Sequence, residues 1–598
     1  MFVILERFLA VGILTVACCF AQAANAAAAA AKKTADPTNV VLILIDDLSH
    51  FGVTAYGANR IRSLQGSFPD QEFSTPNIDR LAREGLRCDY AYAYPLCENT
   101  RVAIMSGMGN DRNYLKPKSL HASDITFGDT FRRAGYATGL FGKWKQSRGT
   151  RSVPGKDYVS EFGWQDYVAF DVVTEGQRFI NPNLVINGQI VNYTGRADLD
   201  PVTGRRWYGP DLVNRRALDF LERHRDRPFF LYYPMHLVHD EHKPTPDTRP
   251  HSVFDEFDEA NHNREGHTGD DLKYFPDMIA YMDKLIGNVV SKLDDLGLRE
   301  RTLIVVVGDN GTKETFAHIL PNGQVYPARK GGNADNGIHV PLILSQPGVI
   351  PTGSDGKMRS YDGMVDITDI YPTIAEATGI EIPNADHLDG ISFWPQAKGG
   401  PGEPRQTIYR WYVGNNIYKD EHHTVRFAFD REFKRYAPSS NFPAGRFFDL
   451  RTDLLERVGS KKVELKWKVM RYSGLELDML TDEQRAAYDR LGTVLAKNTP
   501  TPVNKLTVAA NQNSMKIGER QQLTYRVFPA NARRRGVIWE SSDPAVAKVD
   551  KFGVVTALKP GDVQITIYSW DDAEPYADNG EIEYRRDGFQ AQVSLRVQ

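Results

Sequence analysis

The sequence has few cysteines, little net charge and, beyond its N-terminal region, no long apolar run. Four cysteines in 598 residues are too few for a disulfide scaffold. A net charge of −3 argues against a broad nucleic-acid-binding surface, although it is compatible with a local basic pocket. No later stretch is apolar enough to span a membrane. The length predicts two or three domains of ordinary globular composition.

The N-terminus has the pattern of a secretory signal peptide. Arg7 precedes an apolar run, and Ala24–Ala26 is an A-x-A cleavage site. We therefore predict a signal peptide over residues 1–26 and a protein that is periplasmic, secreted or at the cell surface. Lipidation at Cys18 is the alternative, which Thr15, three residues earlier, disfavours.

Strand and helix patterns alternate along the first part of the chain. The apolar runs 40–45 and 302–307 have the composition of parallel strands buried on both faces. The other segments are predicted helices over 75–82, 127–134, 212–223 and 277–296, and predicted strands over 137–141 and 229–233. This alternation predicts an α/β fold with a mostly parallel central sheet flanked by helices.

Beyond about residue 390 the pattern changes. Extended pieces over 424–429 and 446–450 indicate a small antiparallel subdomain, followed by a helix over 481–495. A Pro-containing linker over 498–502 leads to short alternating strands, which are typical of an all-β sandwich. We expect domains at 38–390, 391–497 and 503–598.

Cys97 ends a loop, and an apolar run with helical spacing follows it. A sulfur at the start of a helix lies beside free backbone N–H groups and the positive end of the helix dipole. Arg101, four residues on, shares its face. This place suits a thiol of lowered pKa or an anion site. The structural alternatives are a buried Cys beside a surface Arg, and a disulfide with Cys88.

Polar residues end the two apolar runs. Asp46-Asp47 follow the first run and Asp309-Asn310 follow the second. Ligands of open α/β sheets bind beyond the carboxyl ends of the strands, and these oxygens suit Ca²⁺ or Mg²⁺. Each pair alone also fits a helix cap or a turn.

Two lysines and a histidine-containing loop are further candidates. Lys143 and Lys330 each lie beside glycines, and His236, His239 and His242 follow the predicted strand 229–233. Most lysines are solvated, and a loop with several histidines is often only a surface loop.

Taken together, these segments resemble the sulfatase family of the alkaline phosphatase superfamily over about residues 38–450. The motifs that carry the resemblance are Asp46-Asp47 after its strand, Thr75–Asp79, the Cys97 segment, Gly142–Trp144, the His239 loop, Asp309–Gly311, Lys330-Gly331 before Val340-Pro341, and Asp366–Pro372. The resemblance implies an alkaline phosphatase-like fold.

The resemblance also implies a set of roles. Ca²⁺, with Mg²⁺ as the alternative ion, would be held by Asp46, Asp47, Asp309 and Asn310, with the group derived from Cys97 as a further ligand. A formylglycine-generating enzyme would oxidise Cys97 during export, and a hydroxyl of the hydrated aldehyde would attack sulfur. Arg101 would position these groups, Lys143 and Lys330 would neutralise the sulfate, and His239 would protonate the leaving oxygen.

The chain departs from the family pattern at three places. Asn99 and Thr100 stand where Pro or Ala and then Ser are usual, in the segment that the modifying enzyme would read while it is unfolded. Lys145 replaces the His that serves as base, and a free lysine of pKa ~10.4 is a poor base at neutral pH. His339 replaces a common Arg.

The C-terminal part resembles a bacterial Ig-like domain of group 2. The matching segments are 528–532, 537–543, 546–550 and 553–561. The resemblance implies a spacer or adhesion module with Trp539 in its core.

The predicted function is an exported sulfatase acting on sulfated carbohydrates. The alternatives are a phosphoester or phosphonate ester hydrolase, a non-catalytic binder of sulfated glycans, and a structural surface protein. Candidate specificity residues lie within 171–210 and 236–275.

Overall fold

The computed structural model describes residues 38–65, 68–113, 118–146, 159–170, 178–258, 269–354, 357–413, 424–465, 469–499, 501–570 and 589–598. The predicted signal peptide, Cys18 and part of the candidate specificity segments lie outside the described residues. In the described part of the chain, no helix combines the length and apolar character of a membrane span.

The first part of the chain contains fourteen strands among the described residues. They are β1 (Asn39–Ile45), β2 (Arg60–Ser63), β3 (Gln71–Glu72), β4 (Leu86–Tyr92), β5 (Ala137–Lys143), β6 (Asp166–Phe170), β7 (Asn183–Ile186), β8 (Gln189–Asn192), β9 (Phe229–Pro234), β10 (Thr302–Gly308), β11 (Phe316–Ile319), β12 (Val325–Pro327), β13 (His339–Ser345) and β14 (Arg359–Asp366).

The α-helices in this part alternate with the strands. They are α1 (Pro76–Arg83), α2 (Cys97–Ser106), α3 (Asn110–Asn113), α4 (Phe127–Arg133), α5 (Gly209–Arg223), α6 (Ser252–Asp255), α7 (Phe275–Asp295), α8 (Asp335–Ile338), α9 (Ile370–Thr378) and α10 (Trp394–Ala397).

Ten of the strands form one sheet in the order β14-β4-β13-β10-β1-β9-β5-β6-β7-β8. The block from β10 to β6 is parallel throughout, whereas β13, β7 and β8 pair antiparallel with their neighbours. The predicted α/β fold is therefore confirmed, with a sheet that is parallel at its centre and mixed at its flanks. The remaining strands, β2, β3, β11 and β12, form a small separate sheet.

Strand β1 is buried on both faces, which explains its uninterrupted apolar sequence. Val41 and Ile43 belong to a core shared with α1, α5 and α7, and Leu42 and Leu44 belong to a second core shared with α2, α4 and α9. A strand between two helical layers has no solvent-facing side that would favour polar residues. The two cores fix the ends of β1 and β10 deep in the molecule.

The predicted antiparallel subdomain is confirmed. Strands β15 (Ile408–Val413), β16 (Thr424–Phe429), β17 (Phe433–Tyr436) and β18 (Arg446–Asp449) form one antiparallel sheet, and β19 (Lys462–Leu465) pairs with β20 (Val469–Tyr472). Helix α11 (Asp482–Lys497) starts at a capping box in which Thr481 and Gln484 exchange hydrogen bonds. Its Ala487 and Leu491 pack on β16 and β17.

The C-terminal sandwich comprises the last nine strands that the described residues form. They are β21 (Lys505–Ala509), β22 (Ser514–Met515), β23 (Arg520–Gln522), β24 (Thr524–Phe528), β25 (Val537–Ser541), β26 (Ala547–Val549), β27 (Val554–Ala557), β28 (Gly561–Ser569) and β29 (Gln590–Val597). Trp539 packs against this core from a partly buried position, and Trp570 is 2% exposed.

The C-terminal sandwich is docked on the α/β part. Lys551 Nζ donates to Asp129 Oδ2 at 2.9 Å, to Asp124 O at 2.9 Å and to Glu161 O at 2.7 Å. Arg533 Nε donates to Asp111 Oδ2 at 2.7 Å. Charged groups with several partners at an interface resist separation, so the sandwich is not a freely tethered spacer.

Replacement of Lys551 tests this docking. Asp129 caps α4 together with Thr126. The substitution Lys551→Ala leaves the Asp129 carboxylate without its cationic partner. We expect Lys551→Ala to lower the free energy of unfolding by about 2 kcal/mol, measured by calorimetric melting. The control is Lys548→Ala at an exposed position, which should leave the melting temperature unchanged. Equal melting of both variants would contradict a docked sandwich.

Candidate active site

Two adjacent strand ends bring the predicted oxygen ligands together. In the parallel pair β1 and β10, Ile45 lies opposite Gly308, so the residues that follow each strand meet at one edge. The Asp47 N–H donates to Asp309 Oδ1 at 3.0 Å, and Asn310 Nδ2 donates to Asp47 Oδ1 at 2.8 Å. Asp46, Asp47, Asp309 and Asn310 are all buried.

This cluster contains oxygens that the described part of the chain leaves unsatisfied. Asp46 Oδ1 and Asn310 Oδ1 are buried and take no hydrogen bond from the described residues. One oxygen of Asp46, one of Asp309 and Cys97 Sγ lie within 4.8 Å of one another. Buried oxygens without a donor are costly, and carboxylate and amide oxygens suit a hard divalent cation. The residues present therefore fit a metal ion.

Cys97 is the first residue of α2, as predicted, and the whole helix is buried. Burial raises the pKa of the Cys97 thiol, although the charges of Lys143 and Lys330 act in the opposite direction. The predicted lowering of the thiol pKa is therefore wrong, because desolvation outweighs the cations. The disulfide alternative is also wrong, since Cys88 and Cys97 are both free.

Three cations surround the carboxylates. Lys143 Nζ donates to Asp46 Oδ2 at 2.6 Å, Lys330 Nζ to Asp47 Oδ2 at 2.6 Å, and Arg101 Nη2 to Asp309 Oδ2 at 2.9 Å. Each predicted cation thus lies on a different member of the acidic cluster.

The pKa values of Asp46 and Asp309 shift in opposite directions. Burial alone would raise the pKa of Asp46, but the charges of Lys143, His239 and Arg101 hold it well below its usual range. Burial raises the pKa of Asp309 to about 7, and the charge of Asp46 adds to this rise. Two carboxylates this close favour one shared proton or one shared cation.

Of the three loop histidines, only His239 reaches the cluster. His239 Nε2 lies 3.2 Å from Lys330 Nζ and 3.7 Å from Asp47 Oδ2, and its Nδ1 lies 2.7 Å from Asp240 Oδ1. His236 packs against Phe170 and Phe179, and His242 against Phe275 and Phe316. Burial lowers the pKa of both His236 and His242 to about 3, so each is a neutral core residue.

Several residues at the site were missed in the sequence. Lys313 Nζ donates to Asp240 Oδ2 at 2.6 Å, and Arg178 Nη1 lies 3.1 Å from His239 Nδ1. Asp240 could have been suspected as the neighbour of a candidate histidine. Arg178 and Lys313 carry no local motif, because only the folded chain brings their segments beside His239.

The unusual residues next to Cys97 have structural partners. Asn99 Nδ2 donates to Asn110 Oδ1 at 3.2 Å and to Val413 O at 3.3 Å, which ties α2 to β15. Glu98 Oε2 lies 3.8 Å from Cys97 Sγ, and Glu98 Oε1 lies 3.9 Å from Lys145 Nζ. Lys145, which stands in place of the usual His, therefore pairs with a carboxylate beside Cys97.

His339, the third departure, lies outside the cluster. Its Nε2 lies 2.9 Å from Asp89 O and its Nδ1 lies 3.3 Å from Asp335 Oδ2. The ring also stacks on His50 and Tyr92. His339 thus joins β13 to its surroundings.

The chain is similar in sequence and in fold to known proteins. Bovine arylsulfatase A is 27% identical over 409 residues, covering 65% of this chain and 72% of its own. Canine N-acetylgalactosamine-6-sulfatase is 26% identical over 418 residues, covering 66% and 72%. A solved structure from the glycosaminoglycan metabolism of Bacteroides thetaiotaomicron shares the fold, with a TM-score of 0.55, 16% identity, and coverage of 77% of this chain and 96% of its own.

Two family models match separate parts of the sequence. The model for bacterial Ig-like domains of group 2 matches residues 502–574, and the Sulfatase model matches residues 38–380. The second match covers more than half of the chain and includes every residue of the acidic cluster and its three cations. Both predicted resemblances are thus confirmed, and the chain belongs to the sulfatase family of sulfuric ester hydrolases.

Proposed function

We propose that this protein is an exported sulfatase that hydrolyses sulfate esters of carbohydrates through a formylglycine made from Cys97 and a bound Ca²⁺. The observation that carries the proposal is the convergence of Lys143, Lys330 and Arg101 on a buried acidic cluster beside Cys97 Sγ. The division into a catalytic part (38–390), a C-terminal subdomain (391–497) and an Ig-like domain (503–598) belongs to this proposal.

The cations explain how a sulfate group is held. Lys143 is fully buried and Lys330 is largely buried, so their ammonium groups attract an anion with little screening by water. Both lie within electrostatic reach of Cys97. Donors fixed in a dry site stabilise negative charge that develops on the sulfate oxygens and the leaving oxygen.

The metal ion would be held by Asp46, Asp47, Asp309 and Asn310. When bound, the cation neutralises charge and polarises a sulfate oxygen as a Lewis acid. Ca²⁺ is favoured over Mg²⁺ because carboxylates and an amide supply many oxygens, whereas Mg²⁺ usually keeps several waters.

Arg101 and His239 act on either side of this centre. Arg101 binds Asp309 Oδ2 through Nε at 3.1 Å and through Nη2 at 2.9 Å, which fixes the carboxylate beside Cys97. His239 is oriented through Nδ1 by Asp240, and Lys313 holds Asp240 in turn. Its Nε2 faces Lys330 and Asp47, where it can pass a proton to the leaving alcohol oxygen.

A carbohydrate substrate is supported by the relatives. The canine relative is named for a sulfated amino sugar, and the structural neighbour comes from glycosaminoglycan metabolism. Export is supported by the signal-peptide pattern of residues 1–26.

Turnover of paired aryl esters tests the proposed reaction. We expect the protein from its own host to hydrolyse 4-nitrophenyl sulfate faster than 4-nitrophenyl phosphate, because the chain belongs to the sulfatase family. The variant Cys97→Ala should lose activity, and Cys88→Ala should retain it. Faster phosphate hydrolysis would favour the phosphoester alternative, and binding without turnover would favour a non-catalytic protein.

Mass spectrometry of the peptide that contains Cys97 tests the modification. In protein isolated from its own host, we expect an aldehyde in place of the Cys97 thiol, because the proposed reaction uses a hydroxyl of the hydrated aldehyde as its nucleophile and Cys97 lies beside the acidic cluster. Cys88, buried in β4, should remain a thiol and is the internal control. An unmodified thiol at both positions would contradict the formylglycine route.

Substitution of Asp309 tests the metal assignment. Asp309→Asn removes one of three clustered carboxylates, so we expect loss of Ca²⁺ binding by calorimetry and a fall in kcat of roughly 10²–10³-fold. Ca²⁺ should also raise the melting temperature of the parent protein but not of this variant. Asp362→Asn, at an exposed position on β14, is the control. Normal Ca²⁺ affinity in Asp309→Asn would refute the site.

A further inference from the structure

A basic cavity lies directly beside the loop that carries Lys330. Its volume is about 340 Å³, within the range of roughly 300–1,000 Å³ typical of small-ligand pockets. Its walls come from the segment 329–336, from β17 and β18, and from β20. Lys330 stands between the lining residues Arg329 and Gly331, and the Gly331 N–H donates to Pro95 O at 2.8 Å. One loop therefore connects the cavity to the segment that ends at Cys97.

The lining of this cavity is positively charged. Four arginines line it, Arg329, Arg446, Arg457 and Arg471, against two carboxylates. One of these, Glu456, is already neutralised, because it lies 2.8 Å from Lys434 Nζ and accepts a hydrogen bond from Tyr436 Oη. The other, Glu314, is exposed. An anion is therefore the ligand that this lining favours.

Three of the arginines have guanidinium groups that the described residues do not use. Arg329, Arg457 and Arg471 make no side-chain hydrogen bond and no ion pair within 4 Å with the part of the chain that the structure describes. Arg446 differs, because its guanidinium stacks on the Tyr436 ring at 3.6 Å. Planar guanidinium groups bind carboxylate and sulfate groups through two parallel hydrogen bonds.

Arg471 is a partly buried cation that lies near a second one. Burial lowers the pKa of Arg471 and the charge of Arg446 lowers it further, while Tyr436, Glu456 and Tyr412 act in the opposite direction. A partly buried cation beside another cation is destabilised until a negative ligand arrives. Such a group at a surface cavity is available to bind an anion.

Charged groups of the cavity and of the candidate active site act on one buried tyrosine, Tyr412. Tyr412 is buried on β15, and burial raises the pKa of its hydroxyl. The charges of Glu98, Arg471, Cys97 and Lys330 all act on that hydroxyl. Lys330 pairs with Asp47, and its chain neighbours Arg329 and Gly331 line the cavity, so an acidic group near the ester can reach this lining.

We propose that the basic cavity binds a second acidic group of the substrate, so that the enzyme acts on glycans with a carboxylate or a further sulfate near the ester that is cleaved. Arg471 and Arg329 contact this group, and Arg457 attracts it from the rim. They are specificity-determining residues. This inference rests on the proposed sulfatase function and adds the substrate class.

Calorimetric binding to the full chain with Cys97→Ala tests the inference without turnover. The three ligands are a sulfated N-acetylhexosamine, the same sugar joined to a uronic acid, and the same sugar with a second sulfate. We expect at least one acidic ligand to bind about tenfold tighter than the singly sulfated sugar, because of charge-assisted hydrogen bonds. Which of the two gains affinity distinguishes a carboxylate from a sulfate as the recognised group.

Second substitutions in the Cys97→Ala protein show which arginines cause the preference for the acidic ligand. Arg471→Gln should abolish the preference for the acidic ligand and change the affinity for the singly sulfated sugar less than twofold. Arg457→Gln, at an exposed position, should weaken the preference for the acidic ligand. This variant replaces Arg471→Gln as the test if Arg471→Gln has a lowered melting temperature. The matched control is Arg490→Gln, whose guanidinium pairs with Asp430 at 2.6 Å outside the cavity and which should keep the preference.

The outcomes separate this inference from the proposed function. Equal affinity for all three ligands, no saccharide binding, or a loss in Arg471→Gln that is the same for every ligand would overturn the acidic-group site. Hydrolysis of 4-nitrophenyl sulfate by the unsubstituted protein is measured alongside. Its absence, with the ligand preference intact, would refute the proposed catalysis and leave the binding site standing.

Discussion

Repulsion among three buried carboxylates is the constraint on which the site depends. Asp46, Asp47 and Asp309 lie together because β1 and β10 are parallel neighbours whose carboxyl ends meet. Like charges at this spacing, away from water, repel strongly unless cations compensate them. Lys143, Lys330 and Arg101 supply that compensation, and the unsatisfied oxygens of Asp46 and Asn310 leave room for a metal ion.

The helix that starts at Cys97 owes its position to the same constraint. Arg101 reaches Asp309 only because α2 is fully buried against the sheet, and Asn99 ties that helix to β15 of the next subdomain. Asn99, which departs from the family pattern, thus helps to hold α2 against β15. The same burial raises the pKa of the thiol, which makes an unmodified Cys97 a poor nucleophile.

Much of this arrangement could be predicted from the sequence, for identifiable reasons. The apolar runs of β1 and β10 report burial on both faces, and the polar residues after them therefore meet at one edge. Long-range contacts carry no such local signal. Arg178 and Lys313 were missed because only the folded chain brings them to His239 and Asp240. The thiol pKa was predicted wrongly because the helix dipole is visible in the sequence and desolvation is not.

The last third of the chain contributes more to the enzyme than its sequence pattern indicates. The sandwich is held to α4 through Lys551, which makes it a fixed part of the molecule. The antiparallel subdomain supplies Arg471 and Arg446 to the cavity beside Lys330. Specificity and stability thus come from parts that follow the catalytic motifs along the chain.

The most direct test of the central claim is a crystal structure of the protein from its own host, grown with Ca²⁺, with anomalous scattering used to locate the ion. The account predicts one strong anomalous peak bound by oxygens of Asp46, Asp47, Asp309 and Asn310, next to the side chain of residue 97. A Ca²⁺-saturated crystal with no peak among these four residues would contradict it.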